Sequence, residues 1–133
     1  MTATTQMGMN GPSRLYWVVT GLMSTFMLVA AIPDLVESAQ AEAAFMHLGY
    51  PVYLLRFIGT AKVLGVAAVL VPGLPRLREW AYAGLVFDLT GALYSHLSVG
   101  DPASIWIFAV FGLVLVTGSY LLQRAERKQV LHT

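Results

Sequence analysis

The sequence predicts an all-α protein: a four-helix transmembrane bundle with both termini cytoplasmic and a short extra helix in the outer loop between spans one and two. Three observations predict it. The first is composition. The chain has 133 residues, 57% hydrophobic and 11% charged, with a mean hydropathy of +0.68. A soluble domain carries about 25% charged and roughly 45–50% apolar residues. The second is four apolar runs, each long enough to cover roughly 27–30 Å, the thickness of a bilayer core. The third is that Lys and Arg gather in alternate loops. Together these exclude an ordinary soluble domain, a disordered chain, a basic nucleic-acid binder and a coiled coil. The net charge of +1 offers no field for a polyanion. The chain has no cysteine, which removes disulfides, thiolate nucleophiles and cysteine-ligated metal.

Residues 1–13, rich in Met, Thr and Gly, are expected to be a disordered cytoplasmic tail. A single membrane domain, 14–122, follows. Span one, 15–32, has no charge. Val29-Ala30-Ala31 is similar to a signal-peptide cleavage site, but the run exceeds the ~7–15 residues of a signal core, so it is kept as a membrane helix. In the outer loop, Ser38–Leu48 has helix-forming composition, with Gly49 to cap it and Pro51 to open the next span. That helix is either a connector resting on the bundle or a lid over an outward-facing pocket. Span two, 52–71, is interrupted by Arg56 and Lys62. Pro72-Gly73-Leu74-Pro75 is a turn. Span three, 80–99, contains Asp88 and His96, and span four, 105–122, has no charge. Residues 123–133 form a basic cytoplasmic tail.

Orientation follows from the loops. Arg14, Arg76, Arg78, Arg124, Arg127 and Lys128 mark the inner side, and Asp34, Glu37, Glu42 and Asp101 the outer. Aromatic residues agree: Tyr16, Trp17, Trp80, Tyr82 and Tyr120 fall at the inner surface, and Tyr50, Tyr53, Tyr94 and Trp106 near the outer one. Gly84, Asp88, Gly91 and Ser95 share one face of span three, and Ala61, Gly65 and Ala68 make a similar strip on span two. Small residues of this kind let helices approach closely. Gly112, Thr117, Gly118 and Ser119 repeat the pattern on span four.

A charge at a helix centre costs about 2.5–3.5 kcal/mol on insertion scales, so ionisable groups inside spans are the candidate site. Lys62 and Asp88 both fall near mid-bilayer, and the economical expectation is a buried Lys62–Asp88 ion pair. It either fixes helix register or lines a polar cavity. Asp34, Glu37, Arg56, His96 and Asp101 form a second group nearer the outer surface, where Arg56 can pair with Glu37 or Asp34. The candidate ligand pocket is therefore Glu37, Arg56, Lys62, Asp88 and His96, with Asp88, Lys62 and His96 the candidate catalytic groups. The three histidines, His47, His96 and His132, lack metal-ligand spacing, and neither a metal ion nor haem is expected. No phosphate-binding loop or nucleophile elbow appears.

The middle of the chain, about 45–102, resembles the DoxX-like branch of the DoxX family of small bacterial membrane proteins. The resemblance rests on an ordered set of residues. His47-Leu48-Gly49-Tyr50-Pro51 leads to Ile58-Gly59 with Lys62 and Leu64-Gly65. Pro72 and Pro75 precede Leu77-Arg78-Glu79-Trp80-Ala81-Tyr82-Ala83-Gly84. Phe87, Gly91-Ala92, Ser95-His96 and Gly100-Asp101 complete it. The resemblance implies a bacterial cytoplasmic-membrane protein acting as a membrane subunit or accessory protein. Founding members of the wider family are linked to a thiosulfate:quinone oxidoreductase, and others to secreted redox or detoxifying proteins. No catalytic residues are carried over. The expected function is a polar, outward-opening pocket for a quinone or other lipid-soluble ligand. One alternative is a membrane enzyme doing proton transfer on an apolar substrate, of isomerase or cyclase type, with Asp88 as base. Another is a scaffold that recruits redox or detoxification proteins. The expected partners are the lipid bilayer and either other proteins or further copies of the chain, with no nucleic acid. Transport fits poorly, since the chain shows no repeat or broken-helix pair.

Overall fold

The structure is a computed structural model; it describes residues 14–131, with side chains to Glu126. The expected N-terminal tail, His132, and the side chains of Arg127 and Lys128 lie outside the described residues. The described residues form five helices: α1 (Arg14–Leu35), α2 (Ala39–Leu48), α3 (Leu54–Leu70), α4 (Pro75–Ser98) and α5 (Ala103–Leu131). The four long ones make an all-α bundle in the ring order α1, α3, α4, α5, so α1 and α4 stand on a diagonal. The core is one cluster in which Met23 and Met27 of α1 meet Val66 and Val69 of α3. Tyr82, Leu85 and Leu89 of α4 and Leu115 and Val116 of α5 complete it.

Several boundaries differ from the sequence reading. Helix α1 runs to Leu35, with Pro33 in its last turn. The second span starts at Leu54 because Pro51 heads a turn first, with Leu54 N–H and Leu55 N–H donating to the Pro51 and Val52 carbonyls. Helix α4 starts at Pro75, five residues before the expected Trp80, because proline at the first helical position sacrifices no intrahelical bond. Helix α5 continues to Leu131, so the expected basic tail is largely a continuation of the helix.

Two of the long helices, over Arg14–Leu35 and Ala103–Glu126, are long and apolar enough to cross a membrane by length and composition alone. Helix α3, at 17 residues, is short and carries Arg56 and Lys62, while α4 opens on Arg76, Arg78 and Glu79 and contains Asp88.

Three helix ends close in the same way. In each, a residue in left-handed conformation follows the helix and the next N–H reaches back to the sixth carbonyl. After α1 it is Glu37 (φ 50°), with Ser38 N–H on the Pro33 carbonyl. After α2 it is Gly49 (φ 86°), with Tyr50 N–H on Phe45. After α4 it is Gly100 (φ 78°), with Asp101 N–H on His96. Ser38 then caps α2 by accepting from Ala41 N–H at 3.1 Å. Each closure throws the following side chain back over the bundle, and two of those side chains, Tyr50 and Asp101, enter the site.

The expected glycine strips are redistributed. A Cβ at Gly59 would lie 3.0 Å from the Asp34 Cβ, one at Gly65 would lie 3.1 Å from Leu85, and one at Gly112 would lie 2.7 Å from Phe26. These three glycines sit at the close helix crossings. Gly84 and Gly91, expected to admit a packed helix, border open space instead: a Cβ at either would meet nothing within 4 Å.

Candidate functional site

The glycine at 59 explains the lysine at 62. With no side chain there, the end of α1 settles directly on α3, and Asp34 and Leu35 lie against the backbone. One helical turn later on the same face of α3, Lys62 Nζ donates to Asp34 Oδ2 at 2.9 Å. The same Nζ lies 4.0 Å from Asp88 Oδ2 on α4. The closer partner is therefore Asp34, which the sequence reading places in the outer group, and the expected Lys62–Asp88 pair is the longer arm of a three-residue cluster. The side chains of Lys62 and Asp34 are 15% and 11% exposed, and that of Asp88 is 24% exposed. Two carboxylates face one ammonium, so Asp88 is the member whose oxygens are least committed.

Lys62 and Asp88 border a half-open cavity of about 410 Å³ lined from all five helices. Phe26 and Met27 of α1, Ile58 of α3 and Phe108 of α5 give it apolar walls. Gly91 and His96 line it from α4, and Phe45, Leu48 and Tyr50 close it on the α2 side. Lys62, Asp88 and His96, three of the five residues expected in a pocket, thus share one space. Glu37 and Arg56 lie outside its lining and pair with each other where α2 begins.

His96 is held by the loop that follows its own helix. The αL turn at Gly100 folds Asp101 back, and Asp101 Oδ2 accepts from His96 Nδ1–H at 2.6 Å. Its other oxygen accepts from His47 Nε2–H of α2 at 2.7 Å. The two imidazole bonds hold the Asp101 carboxyl below the usual carboxylate range, the His96 bond contributing most. With Nδ1–H given to Asp101, neutral His96 keeps Nε2 as an acceptor. Tyr50 O–H donates to Ser95 Oγ, whose own proton goes to the Gly91 carbonyl at 2.7 Å. Helix α2 is thus fastened at its start by Glu37–Arg56 and at its end by His47–Asp101 and Tyr50–Ser95.

A second buried relay lies nearer the opposite end. Thr20 Oγ1 and Ser119 Oγ are 2.6 Å apart, and Ser119 Oγ is 2.7 Å from Tyr82 Oη. Thr20 and Ser119 are wholly buried, and the relay joins α1, α5 and α4. Sequence reasoning saw Ser119 only as a small residue. Its signal was a hydroxyl within an apolar run, which needs a partner in a nonpolar medium.

Apolar helices, an apolar exterior and a few ionisable groups gathered round one cavity define a small all-α protein that associates with membranes. The chain belongs to the DoxX-like family, whose model matches residues 18–119, a wider stretch than the motifs alone suggest. No curated protein and no solved structure matches it.

Proposed function

We propose that this chain is a four-span protein of the bacterial cytoplasmic membrane. It holds a quinone or another lipid-soluble molecule in the cavity beneath α2, as a membrane subunit or accessory protein. The observation that carries the reading is the convergence of Lys62, Asp88 and His96 on one otherwise apolar cavity. Sites for small molecules are mostly apolar with a few placed polar groups, and about 300–1,000 Å³ in volume. An ammonium donor beside an imidazole acceptor suits a ligand with carbonyl or hydroxyl groups on a ring.

The four-span topology is supported by an exterior that bares large apolar side chains around the bundle, including Leu22, Val29, Phe57, Phe87, Phe111 and Val114. Surfaces of that extent are rare on soluble monomers. Arg76 and Arg78 sit at one end, while Asp34, Glu37, Glu42 and Asp101 sit at the α2 end, a distribution that supports both termini inside. The single domain then covers 14–122.

Native mass spectrometry of protein in mild detergent, with an organic extract of the same sample, tests the reading. A stoichiometric quinone or isoprenoid mass is expected, lost in Asp88→Asn and in Gly91→Leu, which fills the cavity. Ligand-free protein, unchanged by either substitution, overturns it and favours a scaffold.

The lining also supports a second reading. Asp88 and His96 border the same space, so two proton-exchanging groups face whatever occupies it. Turnover of an apolar substrate, abolished by Asp88→Asn in folded protein, distinguishes a proton-transfer enzyme from a binding subunit.

A further inference from the structure

A groove of about 500 Å³ runs along the outside of the bundle between α3 and α4. Ile58, Lys62, Phe87 and Asp88 line both this groove and the cavity beneath α2. The two spaces therefore meet at the only ionisable groups that either presents along this boundary. Apart from Lys62 and Asp88 the groove is lined entirely by apolar residues and glycine. From Asp88 it extends to Trp80 and Leu77, about 16 Å of helix at ~1.5 Å per residue. That shape is long, narrow and greasy.

The groove is open along its Gly84 side. The α3–α4 crossing is tight at Gly65, where a Cβ would sit 3.1 Å from Leu85, yet beside Gly84 a Cβ would meet nothing within 4 Å. The α2 side of the cavity is covered by Phe45 and Leu48, and α2 is fastened at both ends.

We infer that cavity and groove are two halves of one site for a tailed amphiphile. The polar ring lies in the cavity against Lys62, Asp88 and His96, and a linear isoprenoid chain lies in the α3–α4 groove. The ligand enters sideways from the bilayer, between α3 and α4. This rests on the proposed pocket and deepens it by naming the ligand class: a ring with a chain, in preference to a ring alone.

Two substitutions separate the halves. Leucine at either position favours helix over glycine and meets no neighbour at Cβ, so both variants are expected to fold. Gly84→Leu obstructs the groove, and Gly91→Leu fills the cavity. The probes are menadione, a naphthoquinone without a chain, and the same ring carrying a four-isoprene chain that ends in a photoreactive diazirine.

Menadione is expected to raise the thermal midpoint of the wild type and of Gly84→Leu, but not of Gly91→Leu. Illumination of the tailed probe is expected to label α3 and α4 around Leu64, Leu77 and Trp80, with excess menadione suppressing the label. Gly84→Leu should cut that labelling by about tenfold or more, the cost of forcing a chain into a filled space. Label spread over all lipid-facing helices, or unaffected by Gly84→Leu, overturns the two-part site while a menadione shift leaves the pocket reading standing. Absence of any menadione shift in the wild type overturns both.

Discussion

Lys62 answers to two carboxylates, and their distances set what each substitution does. Lys62→Met leaves Asp34 and Asp88 facing each other without their cation, and removing one partner of a buried pair costs about 3–5 kcal/mol. Combining Lys62→Met with Asp34→Asn should recover more of that loss than combining it with Asp88→Asn, because the 2.9 Å bond is to Asp34 and the 4.0 Å approach is to Asp88. Denaturation midpoints of these three variants and the wild type in one detergent decide it; equal recovery from both doubles would contradict the assignment. Gly59→Ala pushes a methyl to 3.0 Å from both the Asp34 Cβ and Leu35 Cγ and should destabilise by about 1–3 kcal/mol, whereas Gly84→Ala, with open space, should be neutral or stabilising. Measuring the two side by side separates a crossing glycine from a groove glycine. Lys62, Asp88 and His96 were legible in the sequence because charged or imidazole groups inside apolar runs are conspicuous. Asp34 was not, because it sits just beyond the charge-free run 15–32 and reads as interface until α1 is seen to rest on Gly59.

At the scale of elements, α2 is attached through polar bonds at its two ends. Its hold at the His47 end depends on the Asp101 carboxylate, whose affinity for protons is lowered by the His96 and His47 bonds. The sign follows from linkage. A carboxyl depressed on folding contributes stability that is complete above its ordinary value, about 3.9, and that is lost as pH falls through the depressed value. The protection of α2 amides, taken as exchange relative to the intrinsic rate at the same pH, should therefore be high at neutral pH and fall as pH drops below about 4, and Asp101→Asn should lower it already at neutral pH. Unchanged protection of α2 in Asp101→Asn would assign its hold to the other contacts. The relay at the opposite end makes a stability prediction. Ser119→Ala leaves the Thr20 and Tyr82 hydroxyls without the oxygen they share, at a cost of about 1–3 kcal/mol for a stranded buried group. Melting of the purified variant checks it, with Thr117→Ala, at an exposed position, as the comparison. Helix α2 itself was readable from the alanines of Ser38–Leu48 and from Gly49, a cap at the end of a helix-forming run. Its fastening was not, since Asp101 lies 54 residues from His47 and meets it only through the turn at Gly100.

For the whole molecule, the absence of cysteine makes topology directly measurable, because any introduced thiol is the only one in the chain. Ala43→Cys in α2 should react with a membrane-impermeant maleimide from outside intact cells. Arg76→Cys, between α3 and α4, should react only after permeabilisation. Reversal of the two contradicts the proposed orientation. The helical plan was readable because apolar run length and capping residues are local properties. The cavity and the groove were not, because they are opened by side chains that are missing, at Gly91 and at Gly84, and absence has no periodicity. The ring order of the helices has a mechanical consequence. Four rods joined only along their sides form a hinged quadrilateral, which shears freely until one diagonal is fixed. Two corners are braced here, the α3 corner by Asp34–Lys62–Asp88 toward the α2 end and the α5 corner by Thr20–Ser119–Tyr82 toward the other, and a fixed corner fixes the diagonal opposite it. Each brace fixes one corner of the frame at its own level, so the bundle stays square around its packed core.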